Sequence, residues 1–476
     1  MAEELAVFRD ILASDYEGPS QLESFAVVPP PSGYSTLQPT THITTDTQES
    51  WSTSSGAVDP PGIENWPRRL LQLTSPVWTS HEWQPGHIYG GHREPKYNAI
   101  SYTWGRFRLD SAEASKAVRR SKKLCQVRGI SIDGCPWTIP PIHPARFTVD
   151  EFRQALERTS EIDGDSSGKF VWLDVACIDQ ESEAGQLEVG RQADIFRGAQ
   201  KVSVWLTDFS LTELEKAFSS IRSDLVTVRA FQSMPDRYLE LTENIESWKM
   251  GSTERMEENV EVLNTMTSTL DKICKDPWFS SLWTLQEAFL CPEARFLSRD
   301  GHFVGSDSVA IGNLSQLTLI CERTRVITED LLKAFEVDTL KGLTWMKRCL
   351  EIGHLVKAKG LAALHSRNPI VLYSTAGKRT AKKDYDYIYA IQQVFGFRLG
   401  NSRPGDAGRV YSRLELQMQL GADLLEKYPV QSQMHIFDEP VEDQMGWCIS
   451  LASRLPGHRI PQDVPGMVNE TGLKFE

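Results

Sequence analysis

Cysteine is scarce: eight residues in a chain of 476, none close enough to another to form a cluster. That spacing gives neither a disulfide framework nor the paired ligands of a zinc site, so reduced thiols are expected. Positive charge is also short, with 51 Lys and Arg against 64 Asp and Glu, a formal charge of −13. A surface of that sign repels phosphate backbones and anionic lipid, so neither nucleic acid nor a membrane surface is expected as a partner. Long apolar runs are missing, nothing approaching the ~18 residues of a membrane span. The opening residues, MAEELAVFRDILASDYEG, carry Glu3, Glu4, Arg9 and Asp10 and not the basic start and apolar block of a secretory signal. The simplest reading of these absences is a cytoplasmic protein.

What is present suits a globular protein, 40% apolar and 24% charged, of a length that holds two or three domains. Residues 1–65 read as a disordered leader. Leu5, Phe8, Ile11 and Leu12 make a short amphipathic pattern, but residues 19–62 are dominated by Ser, Thr, Pro and Gly and hold too little apolar surface to offset the entropy of ordering. A first folded region is expected over 66–300 and a mainly helical one over 301–476.

Two runs set the fold class. In KYNAISYTWG, Ala99, Ser101 and Thr103 alternate with Ile100, Tyr102 and Trp104 before Gly105 breaks the run, a strand entering a turn. In KFVWLDVACIDQ, Phe170 to Leu173 are continuously apolar, as in a strand covered on both faces. Residues 150–160 read as a helix between them, and QLEVGRQADIFRGAQ as a helix before the buried strand KVSVWL. Strand, helix, strand at this spacing implies an α/β fold with a parallel sheet. DPWFSSLWTLQEAFL reads as one further helix begun near Pro277.

Familiar signatures fail on their spacing. GDSSGK (164–169) is one residue short of a phosphate loop and lacks the Ser or Thr that would hold magnesium. His81-Glu82 has no second His, and Cys125, Cys135 and His143 have no paired spacing, so no metal is expected. More informative are polar residues at the ends of apolar elements. Asp174 follows its strand, and Asp179 and Gln180 lie just beyond, where ligands bind an open parallel sheet; both acids also suit simple capping roles. Tyr102, Trp104 and Gly105 end their strand comparably. On the helix after Pro277, Trp283, Gln286 and Glu287 share a face at i, i+3 and i+4, placing an aromatic plate beside a carboxylate. Such a pair suits a base or pyridinium and its ribose; a partly exposed helix face is the plainer reading.

Three blocks, YNAISYTWG (97–105), FVWLDVACIDQ with GRQADIFRGAQKVSVWL (170–206) and DPWFSSLWTLQEAFL (276–290), resemble the fungal heterokaryon-incompatibility (HET) domain, and KKDYDYIYAIQQVFGF (382–397) resembles an element that often follows it. The family has been likened to the TIR domain, a flavodoxin-like α/β unit, and WTLQEA (283–288) is similar to the TIR motif Trp-Cys-Leu-x-Glu-Leu, with Thr284 in the place of Cys. The resemblance implies a TIR/flavodoxin-like parallel sheet core with a mainly helical C-terminal region. It also implies a role in fungal non-self recognition and regulated cell death, with a protein partner or allelic incompatibility factor and self-assembly. It makes Glu287 the catalytic residue of an NAD glycohydrolase, NAD being substrate and not cofactor. Tyr102, Trp104, Gly105, Asp174, Asp179, Gln180, Trp283 and Gln286 are the expected substrate contacts, and Glu287, Trp104 and Asp174 are expected to line one cavity. A non-enzymatic interaction module and an accessory protein of a secondary-metabolite gene cluster are the alternatives.

Overall fold

The computed structural model describes residues 59–74, 77–105, 107–110, 116, 129–143, 146–161, 169–179, 182–232, 245–305, 311–334, 340–406, 408–437, 440, 445–451, 453–454, 468–469 and 472–473. Residues 1–58 of the expected leader, and Gln180, lie outside them. Gly56–Leu455 form one compact unit; residues 468–469 and 472–473 belong to another, where they pair as a short antiparallel ladder.

A six-stranded sheet organises the larger unit. Its strands are β1 (Arg69–Thr74), β2 (Val77–Glu82), β5 (Tyr97–Ser101), β6 (Phe170–Trp172), β7 (Val202–Trp205) and β8 (Arg295–Leu297); a two-residue pair, β3 (Ile88–Tyr89) and β4 (His92–Arg93), stands apart. The order is β2-β1-β6-β5-β7-β8. β5 runs parallel to β6 and β7, and β7 to β8, while β1 is antiparallel to both of its neighbours. Taken in chain order, the parallel strands lie second, first, third, fourth, the flavodoxin-like arrangement. The order reverses between β5 and β7, and such folds bind ligands outside the carboxyl ends of the strands at that point.

The alternation in 97–102 sorts the residues of β5 between two helical layers. Asn98, Ile100 and Tyr102 face helix α1 (Val149–Thr159): the Asn98 amide donates to the Thr159 carbonyl at 2.6 Å, and Ile100, Tyr102, Trp104, Phe147, Phe152 and Trp205 share one core. Tyr97 and Ser101 face the other way, the Tyr97 hydroxyl donating to the Ile195 carbonyl. α1 starts where Thr148 and Glu151 cap each other reciprocally, and it buries Phe152, Ala155 and Leu156.

After β6 come α2 (Asp174–Cys177), α3 (Glu183–Val189) and α4 (Gln192–Gly198). The single helix expected across 186–200 is broken at Gly190. A Cβ there would lie 2.8 Å from the Ser402 carbonyl oxygen, and the Gly190 carbonyl accepts from Gln393 and Arg398. The segment after Pro277 is likewise divided, into a 3-10 turn, Pro277–Ser280, capped by Asp276, and helix α7 (Trp283–Leu290). Between β7 and that turn lie α5 (Leu211–Gln232) and α6 (Ile245–Cys274).

The C-terminal part is mainly helical. α8 (Leu314–Ala334) and α9 (Leu340–Ala358) pack with each other and with α5 and α6. α10 (Leu361–Ser366), α11 (Pro369–Ala376), α12 (Asp386–Gln392) and α13 (Arg413–Lys427) follow, and α12 packs directly on α7. No described helix is long and apolar enough to cross a membrane.

Candidate functional site

Two carboxyl groups stand at the carboxyl edge of the parallel strands, held by consecutive residues, Ser101 and Tyr102. Ser101, the last residue of β5, donates from Oγ to the Glu287 Oε2 at 2.5 Å and accepts from the Trp278 indole nitrogen at 2.8 Å. Strand parity turns Ser101 toward α7, and the 3-10 turn delivers the fully buried Trp278 above it. On the neighbouring strand, Asp174 opens α2. Its Oδ1 accepts from the Tyr102 hydroxyl and from the Val175 amide, each at 2.7 Å.

Burial dominates the electrostatics. Glu287 keeps some solvent contact at its surface, but the surrounding protein disfavours its charge and pushes the pKa from 4.5 to about 8; the Ser101 hydrogen bond opposes this and the nearby Asp174 carboxylate adds to it. Asp174 is raised for the same reason, against the two hydrogen bonds it accepts, and Tyr102 is raised by burial and by Asp174. The result is a polar, proton-rich corner in which a carboxyl group can hold or release a proton near neutral pH.

The other expected residues are dispersed around this corner. Trp104 packs against Tyr102, Phe147 and Phe152 in the α1-side core, on the sheet face opposite Ser101, and its buried indole N–H has no partner among the described residues. Gly105 is exposed, with open space where a side chain would project. Asp179 supports the turn before α3: its carbonyl accepts from the Ser182 hydroxyl, and a Cβ on Gly185 would lie 1.8 Å from that oxygen. Trp283 is half-buried and hydrogen-bonds Asp386 of α12. Gln286 is fully buried and donates to Gln192 of α4 at 3.3 Å. Asp174 and Tyr102 are thus brought into direct contact, while Glu287 is held beside them by Ser101 and Trp278, neither of which was anticipated. Among the described residues no group of three or more His, Cys, Asp or Glu is arranged to hold a metal ion.

Two buried charged groups brace the site from behind. Glu188 and Arg191 pair at about 1% exposure each, joined by the Arg68 amide and by Asp59. Arg379, 2% exposed, donates to the Trp278, Ser281 and Lys359 carbonyls and to the Thr284 hydroxyl, and burial lowers its pKa to about 9. Gln393 acts as a remote cap on α4, accepting from the Ala193 amide at 3.0 Å. These roles left no mark in the pattern, where Arg and Glu read as surface.

The sequence of this corner is shared with other proteins. Residues 97–287 match the family model described as heterokaryon incompatibility protein (HET). The chain is 26% identical over 214 residues to heterokaryon incompatibility protein 6, OR allele, of Neurospora crassa, a match covering 42% of this chain and 28% of that relative. No solved structure matches. β5, β6, β7, the turn after Asp276 and the start of α7 as far as Glu287 fall inside the matched segment, and this part of the chain is similar to the heterokaryon incompatibility (HET) domain.

Proposed function

We propose that this protein acts in heterokaryon incompatibility and that its HET domain signals by hydrolysing the nicotinamide–ribose bond of NAD. The observation that carries the reading is Glu287, held by Ser101 at the carboxyl edge of the sheet where an α/β fold presents its ligands, with the Asp174 carboxylate near enough to act on its charge. Breaking the glycosidic bond leaves positive charge on the ribose. Nicotinamide departs with the bonding electrons as a neutral molecule, and water adds to the ribose and loses a proton to give ADP-ribose. A fixed carboxylate beside the ribose stabilises that charge. Burial keeps Glu287 protonated up to about pH 8 in the free protein, so a cationic substrate would draw out the proton and create its own counter-charge.

The test is release of nicotinamide from NAD by purified wild type and Glu287→Gln, read by chromatography. Wild type should turn over, with kcat/KM rising with pH to a plateau above about 8. The variant should lose ~10²–10³ of the rate, the usual effect of removing one preorganised group. Absent release, or equal release from both, removes the enzymatic reading. A second reading rests on the inward contacts of Gln286 and the link of Trp283 to Asp386: α7 would then be a joint in a non-enzymatic interaction module. Growth arrest in a fungal host that persists with Glu287→Gln would favour it.

A further inference from the structure

At the opposite, amino end of the sheet a second feature draws on none of these residues. A polar cavity of about 140 Å³ opens between the end of α1 and the starts of β7 and β8. Arg158, Lys201 and Arg295 line it, with Glu161 the one carboxylate among its lining residues. Such a concentration of positive charge runs against the −13 of the whole chain.

One of these cations, Arg295, is stationed in a way that calls for a counter-ion. The Arg158 and Arg295 guanidinium groups both lie over the Phe303 ring, 5.7 and 4.2 Å from its centre, so one aromatic ring holds two like charges. Glu161 pairs with Arg158 at 2.6 Å. Arg295 has no carboxylate partner among the described residues; its cross-strand neighbour is the buried Ser203, another lining residue.

An independent observation comes from Thr159. This side chain lines the cavity, is 2% exposed, and its hydroxyl has no hydrogen-bond partner among the described residues. Leaving a hydroxyl dry and unpaired is costly unless something outside the chain satisfies it. The walls are also fixed in advance. Asn98 donates to the Thr159 and Glu161 carbonyls and accepts from the Lys201 amide at 3.1 Å, stapling both sides of the opening from the buried interior.

We propose that this cavity is a binding site for a phosphate-sized oxyanion, held by the Arg295 and Lys201 charges and by the Thr159 hydroxyl. Guanidinium and hydroxyl donors around a fixed opening match oxyanion geometry. The anion could be free phosphate or the phosphate group of a mononucleotide; the chemistry at the cavity is the same.

The test is calorimetric titration of the full chain with inorganic phosphate and, separately, adenosine 5′-monophosphate, alongside thermal melting in phosphate against chloride of equal ionic strength. Phosphate should raise the melting temperature by about 2 °C or more over chloride. Arg295→Gln should weaken phosphate binding by at least about tenfold. Thr159→Val should weaken it several-fold while raising the melting temperature of the ligand-free protein, because it removes an unpaired buried hydroxyl. Tighter binding of the nucleotide would assign the site to a nucleotide phosphate, and equal or weaker binding to the free ion. Should Arg295→Gln not fold, Thr159→Val decides alone. Phosphate that does no more than chloride, or binding left intact in the variants, overturns the proposal.

Discussion

Replacing Glu287 with Gln should make the protein less sensitive to rising pH. In the folded chain burial holds this carboxyl at about 8, against an ordinary value of 4.5. The native state therefore keeps a proton that the unfolded chain has already lost between those two values. Stability of the wild type must fall as pH rises through that window, at up to about 1.4 kcal/mol per pH unit. Over the whole interval this is roughly 5 kcal/mol, and solvent reaching the half-buried side chain screens part of it, leaving ~2–4 kcal/mol to be observed. Gln accepts the same Ser101 hydrogen bond without ionising. Any cost of burying its amide is the same at every pH and leaves the slope untouched. The assay is urea unfolding followed by tryptophan fluorescence at pH 5, 6, 7, 8 and 9, for both proteins. The stability of the variant relative to wild type should climb with pH and level off above about 8. A difference that stays constant from pH 5 to pH 8 would show that Glu287 ionises normally, and the electrostatic account of the site would fall with it.

Two further substitutions probe the supports of the site. Ser101→Ala strips the Trp278 indole of its acceptor and Glu287 of its donor; it should cost ~1–3 kcal/mol in urea unfolding and move the Glu287 titration higher still. Arg379→Met removes four hydrogen bonds made by one guanidinium; the loss should exceed roughly 3 kcal/mol and appear as a lowered melting temperature.

The parts of this fold that the sequence disclosed are those written as periodicity. Phe170 to Leu173 is apolar without a break because β6 is covered on both faces, and the two-residue alternation from Asn98 to Tyr102 survives as the division between the α1 layer and the α7 layer. The same alternation explains why Trp104 and Glu287 part company. Trp104 shares the parity of Ile100 and Tyr102, whereas the residue that meets Glu287 is Ser101, an inconspicuous serine in a strand. Helix breaks were hidden for another reason. Gly190 and Ser281 interrupt helices because distant segments, around Ser402 and Arg379, occupy the space or take up the carbonyls, and no local propensity encodes a neighbour two hundred residues away. Buried charge was equally illegible: Glu188, Arg191 and Arg379 are inside only because their partners arrive from elsewhere in the chain.

Arg379 lies nearly a hundred residues past the last position of the family match, yet its guanidinium closes the backbone of the turn that carries Trp278 and leads into the helix of Glu287. The stretch that recurs among relatives and the stretch that must fold together are therefore different lengths of chain. A fragment trimmed to the recurring part would lose the guanidinium that ties down the Trp278 and Ser281 carbonyls beneath its own catalytic candidate, and with it the distal helices' hold on that turn.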